Sequence, residues 1–264
     1  MTAEELRAMI DHDDRHWWYR GRRRVLRAQL ARIRLPEGAR ILDAGCGSGR
    51  TLDELARVGS ACGVDISPAA VAAARLRGHA DVRVASVEAL PFPDDRFDLV
   101  TCLDVVEHTD DDRATLRELR RVARPGGVLL MTVPAYPGLW SRHDVRNGHR
   151  RRYTAPTARA AAAEAGWTVL RTGHFNSVLL PPAAAVRLAE RGRDPRGRSD
   201  LALTPRSLDG VLELPLRVEA GLIRRGVRLP AGLSLLLALA NLPAGEPAPS
   251  APGPRERPLA AVAG

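Results

Sequence analysis

Lysine is absent from this chain of 264 residues, and all 40 of its basic side chains are arginine. A net charge of +9 would ordinarily direct attention to an anionic partner such as a nucleic acid. Arginine at every basic position, together with abundant alanine, instead marks a compositional bias, so the charge alone carries little of that inference. Aromatic residues are scarce as well, at 4%. Few rings are available to stack on bases, and no nucleic-acid partner is expected. Cysteine occurs three times, as Cys46, Cys62 and Cys102, an odd number without CxxC spacing. That excludes a disulfide framework or a thiolate zinc site and suits a reducing compartment. The opening residues MTAEELRAMIDHDDRHWWYR hold no apolar run of the kind a secretory signal needs. The longest uncharged stretch, residues 229–245, is broken by prolines and glycines, which makes a spanning helix unfavourable. A cytoplasmic protein is expected, with at most peripheral contact to the inner face of the membrane.

What is present is a regular alternation of short apolar runs and helix-length segments. Strands are expected at 40–44, 61–66, 82–85, 97–103 and 128–133, and helices at 51–58, 68–77 and 111–123. Ser67-Pro68 has the form of an N-cap followed by proline at the first helical position, and Pro125-Gly126-Gly127 separates the third helix from the next strand. The alternation predicts an α/β fold, a doubly wound, Rossmann-like sheet that is mostly parallel and covered on both faces. Further on, an alanine-rich helix at 154–165 and a strand at 167–174 precede an apolar, arginine-dotted region. This region, 176–228, reads as a helical insertion before a last buried strand at 232–241. Residues 1–36 read as an N-terminal helical lid, 37–242 as the main domain, and 243–264 as a disordered tail rich in proline and alanine.

The segment ILDAGCGSGRTL, Ile41 to Leu52, is the most informative. A strand ending in Asp43 runs into Gly45, Gly47 and Gly49 before a helix, and glycines so spaced let a ligand approach the backbone closely. Arg50 stands where the last glycine of a dinucleotide fingerprint would fall, which disfavours NAD. A carboxylate at Asp43 would repel a pyrophosphate but attract an ammonium or sulfonium group. Asp65 ends the second strand, where a carboxylate can accept from both hydroxyls of a ribose. The ligand so described is a nucleoside with a cationic tail.

With GVDIS (63–67), SVEALPFPDDRFDLVTCLDVVEH (86–108) and RVARPGGVLLMTVP (121–134), this segment resembles the class I S-adenosylmethionine-dependent methyltransferases over about residues 37–175. The resemblance implies S-adenosyl-L-methionine as cofactor. It sets Asp43, Gly45, Cys46, Gly47 and Gly49 around the methionine moiety, Asp65 and Ile66 at the ribose, Ser86 and Val87 against the adenine, and Leu103 with Asp104 closing the pocket. In one departure, Ser86 stands where the family often has aspartate. The stretch Asp104-Val-Val-Glu107-His108 is similar to one in methyltransferases acting on prenylated quinone precursors, which implies proximity to the acceptor. A Glu-His pair opening a helix also serves as a cap or wall, and no metal site is expected.

Transfer of a methyl group from a sulfonium is an in-line displacement, so alignment and exclusion of water supply most of the catalysis. A general base is needed only if the nucleophile must lose a proton. The candidates are His108 after the fourth strand and His143, His149 and Tyr153 after the fifth, with Glu107 and Asp144 near them. Three of these lie in RHDVRNGHRRRYT, residues 142–154, which reads as a solvated loop or, in its place, as an arginine grip on an acceptor phosphate or carboxylate or a base-bearing loop. Trp17, Trp18 and Tyr19, followed by arginines, suit a lid over the cofactor or an anionic membrane surface. The expected function is methylation of a small-molecule or lipid-linked acceptor, most simply at oxygen. The alternatives are a non-methylating protein that binds the same cofactor, and a nucleic-acid methyltransferase. The latter is disfavoured because residues 103–106 hold no base-gripping Asn-Pro-Pro-Tyr.

Overall fold

The computed structural model describes residues 12–189 and 208–243. Seven strands, β1 (Arg40–Ala44), β2 (Ser60–Asp65), β3 (Val82–Val84), β4 (Phe97–Leu103), β5 (Ala123–Pro134), β6 (Thr168–Phe175) and β7 (Ser234–Ala240), form one sheet. Their order is β3-β2-β1-β4-β5-β7-β6. The first five are parallel, and β7 runs antiparallel between β5 and β6. The order reverses between β1 and β4, and a crevice opens at the carboxyl ends of the strands flanking such a switch point. Asp43 and Leu103 sit at those ends.

Alternate residues of each strand serve opposite faces, which is why the strands read as continuous apolar runs. Ile41, Leu99 and Leu130 pack with Leu26, Leu52 and Val71 on one side, whereas Leu42, Val100 and Met131 pack with Leu116, Leu119 and Ala161 on the other. The first face is covered by α1 (Trp17–Leu30), α2 (Arg50–Leu55) and α3 (Pro68–Leu76), and the second by α4 (Asp112–Val122) and α6 (Ala155–Glu164), α5 (Arg142–Asn147) lying between them in sequence. Ser67 caps α3 as expected, its hydroxyl accepting from the Ala70 N–H. Asp111 does the same for α4 through the N–H groups of Arg113 and Ala114. Trp167 is buried in the second layer, with its indole N–H donating to the Leu116 carbonyl at 2.9 Å.

Two assignments differ from the sequence reading. The strand expected from residue 128 begins at Ala123, because Phe97 pairs with Ala123 and the Gly126 N–H donates to the Asn241 carbonyl, which carries the ladder across Pro125-Gly126-Gly127. Residues 142–147 are helical, whereas the sequence suggested a loop. Among the described residues of the region 176–228 are the helices α7 (Leu180–Ala189) and α8 (Asp209–Arg224), residues 190–207 lying outside the described set, and α8 packs on α1. Leu216, Ala220 and Ile223 of α8 meet Val25 and Ala28 of α1 in a third core cluster. Gly21 allows this approach, since a Cβ there would overlap Leu216. The N-terminal segment and the insertion are thus one packing unit. The expected disordered tail lies, from residue 244 on, outside the described residues. So do residues 1–11 of the expected lid.

Candidate active site

Gly45, Gly47 and Gly49 adopt φ angles of 87°, 54° and 88°, a left-handed run that other residues enter only with strain. The loop is pinned to β2, since the N–H groups of Gly45 and Cys46 both donate to the Val64 carbonyl, at 2.8 and 2.9 Å. The Gly47 N–H donates to Asp65 Oδ2 at 2.9 Å, and the Ser67 N–H donates to Asp65 Oδ1 at 2.8 Å. The Asp65 carboxylate is therefore fixed at the lip of the loop, with further lone pairs to offer. Asp43 lies beneath it, buried. Its Oδ1 accepts from the Thr101 hydroxyl at 2.6 Å, and its Oδ2 has no partner. Burial pushes its pKa up to about 7, against the lowering effect of Thr101.

A cavity of about 1040 Å³ opens over this loop. Gly45, Gly47, Asp65, Ile66, Ser86, Val87, Leu103 and Asp104 line it, so eight of the eleven residues expected around the cofactor share one wall system. Cys46 instead faces a smaller void of about 120 Å³, and burial pushes its thiol pKa well up, which makes it a packing residue. Neither Gly49, the N-cap of α2, nor Asp43 lines the large cavity. Residues of the N-terminal segment close over the loop. Asp13 accepts from the Ser48 hydroxyl and pairs with Arg77 at 2.8 Å, and Arg22 pairs with Asp104 at 2.5 Å. Trp17, Trp18 and Tyr19 line the same cavity.

Three histidines converge on the cavity. The His149 ring lies 4.8 Å from that of His108 and 5.8 Å from that of His143. Their placement follows from the short helix α5. Asp144 and Ser141 form a capping box, Gly148 ends the helix in a left-handed conformation, and the chain turns His149 back toward Asp144. Asp144 is fully buried and accepts from the Ser141 N–H at 2.9 Å, from His149 Nδ1 at 2.8 Å and from Arg152 Nε at 2.7 Å. Burial alone would raise its pKa, but the bonds from His149 and Arg152 outweigh burial and hold the carboxyl well below the usual range. As Asp144 is an anion, His149 Nδ1 is the donor to it, so in the neutral ring the lone pair lies on Nε2. Nε2 lies 4.0 Å from Glu107 Oε1. Glu107 is buried with neither carboxyl oxygen hydrogen-bonded, and burial, with the nearby Asp104, raises its pKa well above the ordinary value. His108 donates from Nδ1 to the Gly148 carbonyl at 3.1 Å, and burial and His149 push its pKa down to about 4, so it is neutral at pH 7. Glu107, His108 and His149 each bring a ligand atom within 4.8 Å of the others, so a divalent cation could be held there.

Tyr153 corrects the sequence reading. It is buried, its hydroxyl donates to Asp112 Oδ2 at 2.9 Å, and it lines neither cavity, because its backbone bridges Pro134 and Tyr136 and turns the ring into the core. The arginines of 142–154 also have internal tasks. Arg150 pairs with Asp110 at 2.5 Å, Arg151 donates to the Asp110 carbonyl at 2.7 Å, and Arg152 donates to the Ala135 carbonyl at 2.8 Å. Arg150 and Arg151 fasten this segment to the one following β4, and Arg152 fastens it to the end of β5. Sequence reasoning did not single out Asn176, Arg187 and Ser234, which also line the cavity. They come from segments remote in sequence, and no local pattern marks them.

The chain is similar to known proteins over part of its length. A family model described as a methyltransferase domain matches residues 42–131. A ubiquinone biosynthesis O-methyltransferase of Xanthomonas oryzae pv. oryzae is 40% identical over 103 residues, which are 36% of this chain and 43% of the relative. The alignment thus spans less than half the length of that relative. Among solved structures, a chain from the complex between the Haloferax volcanii Trm112 methyltransferase activator and a methyltransferase superposes with a TM-score of 0.58 at 23% identity, covering 90% of this chain and 93% of that one. The [4+2]-cyclase SpnF superposes with a TM-score of 0.52 at 21% identity, covering 83% and 81%. These two likenesses concern the fold.

Proposed function

We propose that the methyltransferase domain carried by residues 42–131 makes this chain an S-adenosylmethionine-dependent enzyme that methylates a hydroxyl group on a small or lipid-linked acceptor. One observation supports this above all: a single cavity joins the glycine loop and Asp65 to the histidine cluster. The residues fit the cofactor. Left-handed glycines keep Cβ atoms off the loop, and the unpartnered Asp43 Oδ2 beneath it offers a carboxylate that a cationic sulfonium would favour in its ionised form. Asp65 would hold the ribose hydroxyls with the lone pairs that Gly47 and Ser67 leave, and Ile66, Ser86 and Val87 would bound the base. When bound, S-adenosylmethionine supplies a methyl group on a positively charged sulfur.

The acceptor hydroxyl needs somewhere to send its proton, and His149 Nε2 carries the lone pair for it. The Asp144 anion fixes the His149 tautomer and stabilises the imidazolium that results. His108, neutral and facing His149, adds no charge that would oppose this protonation. Trp17, Trp18 and the Arg22–Asp104 pair would exclude water from the transfer. Oxygen is favoured as the methylated atom by the partial relative's description as an O-methyltransferase. A second reading rests on the Glu107–His108–His149 trio, which could instead hold a divalent cation that binds the acceptor hydroxyl. A third takes the cofactor-binding fold without methyl transfer, as the superposition with a cyclase illustrates. Incubation with methyl-labelled S-adenosylmethionine and hydroxylated acceptors tests the proposal. Release of S-adenosylhomocysteine with labelled product is expected, and binding without release would assign the non-methylating reading.

A further inference from the structure

Helix α8 turns its charges the wrong way round for a helix in water. Of its three acidic residues, Asp209 in the first turn is half-buried, and Glu213 and Glu219 are buried, at 2% and 3% exposure. Glu213 accepts from Arg20 Nε at 2.7 Å and from Arg24 Nε at 2.6 Å, and Glu219 accepts from the N–H groups of Asn176, Ser177 and Val178. Its outward face carries Val211, Leu214 and Val218, spaced i, i+3, i+7 and exposed to 67%, 54% and 56%. From residue 208 to 228, every exposed position other than Gly210 is aliphatic or arginine, and none is acidic. A helix that spends its carboxylates on the interior and presents valine, leucine and arginine outward is patterned for a surroundings other than bulk water.

We propose that the outer face of α8 docks on an anionic phospholipid surface. The aliphatic stripe would enter the headgroup boundary, and Arg217, Arg224 and Arg225 would meet lipid phosphates while their stems extend the apolar footprint. Charge favours this occupant over a second copy of the chain, because a two-fold contact through this face would set arginine against arginine. The location suits it too. Trp17 and Trp18 pack against the cluster that α8 forms with α1, and both line the large cavity, so docking would bring that cavity close to the membrane surface. Among the described residues no helix is long and apolar enough to span a membrane, and docking of this kind needs none.

The test is co-sedimentation of the full chain with vesicles of phosphatidylcholine alone and of phosphatidylcholine mixed with phosphatidylglycerol. Binding to the mixed vesicles only, weakening as salt rises, is expected. A paired Arg217→Ser/Arg224→Ser variant should bind about 25-fold more weakly, at about fivefold per arginine. A triple Val211→Ser/Leu214→Ser/Val218→Ser variant should lose binding at low salt as well. Both should keep the wild-type circular dichroism, because the altered side chains point outward. Wild-type protein that stays in the supernatant, or variants that sediment as wild type does, would overturn the proposal. So would a dimer, seen by light scattering, that the triple variant abolishes while vesicles go unbound, since the face would then belong to a second copy.

Discussion

Alanine at Gly45 and at Gly38 should have different consequences, although both glycines are left-handed, with φ of 87° and 66°. Alanine in that region costs about 1–2 kcal/mol wherever it is placed. At Gly38 nothing more is added, since a Cβ there meets no atom within 4 Å. At Gly45 the Cβ would overlap Val105 Cγ2 and come within 3.3 Å of Val105 Cγ1, so rotating the valine exchanges one clash for another. Val105 is boxed between Asp104, itself left-handed at φ 56°, and the turn Val106–His108, so relief requires backbone movement. Overpacking of this kind adds about 1–3 kcal/mol. Urea denaturation should therefore show Gly38→Ala losing about 1–2 kcal/mol and Gly45→Ala losing roughly 2–5 kcal/mol. The moved segment also forms the cavity wall. Calorimetry should show affinity for S-adenosylhomocysteine unchanged in Gly38→Ala and about 10- to 100-fold weaker in Gly45→Ala, a loss of about 1.4–2.7 kcal/mol. Equal stability losses with equal affinities would refute the argument that close approach, and not backbone freedom alone, requires Gly45.

Three further outcomes are expected. His149→Ala should lower kcat by at least about 100-fold in the labelled-methyl assay with little change in cofactor affinity, whereas Tyr153→Phe should leave kcat intact and lower stability by about 1 kcal/mol through the lost bond to Asp112. Burial raises the Asp43 pKa from 3.8 to about 7, so between those values the native state holds a proton that the unfolded chain has released. Stability is therefore greatest below the lower value and falls as pH rises toward the upper one, by up to about 4 kcal/mol. Urea curves from pH 4 to 8 should show a smaller loss in Asp43→Asn than in the wild type, the remainder coming from Glu107, whose pKa burial also raises. Dialysis against EDTA should leave turnover unchanged if His149 acts as the base, and loss restored by a divalent cation would assign the Glu107–His108–His149 trio as ligands.

The parallel half of the sheet was legible because β1, β4 and most of β5 are apolar on both faces and α3 opens on its own cap, Ser67. The antiparallel β7 was also visible as an unbroken apolar run, SLLLALA, all buried. The start of β5 was not, since it depends on pairing of Ala123 with Phe97 and of Gly126 with Asn241, contacts remote in sequence. The glycine loop and Asp65 could be read from local spacing, because backbone approach needs glycine wherever it occurs. The histidines were visible as types but not as a cluster. Their convergence depends on the capping box of α5 and on Asp144, whose burial no local pattern announces. Tyr153 and the arginines of 150–152 looked functional for the opposite reason. A polar tip or a charge says nothing about whether its partner is a ligand or, as here, Asp112, Asp110 and Asp144.

The central claim is that the glycine loop and Asp65 hold S-adenosylmethionine while His149 serves the acceptor, and calorimetric titration with that cofactor tests it most directly. The account predicts binding to the wild type, binding of similar strength to His149→Ala, and affinity at least about 100-fold weaker in Asp65→Ala, where hydrogen bonds to a charged group worth about 1.5–3 kcal/mol each are lost. A wild type that fails to bind, or Asp65→Ala that binds as tightly as His149→Ala, would contradict it.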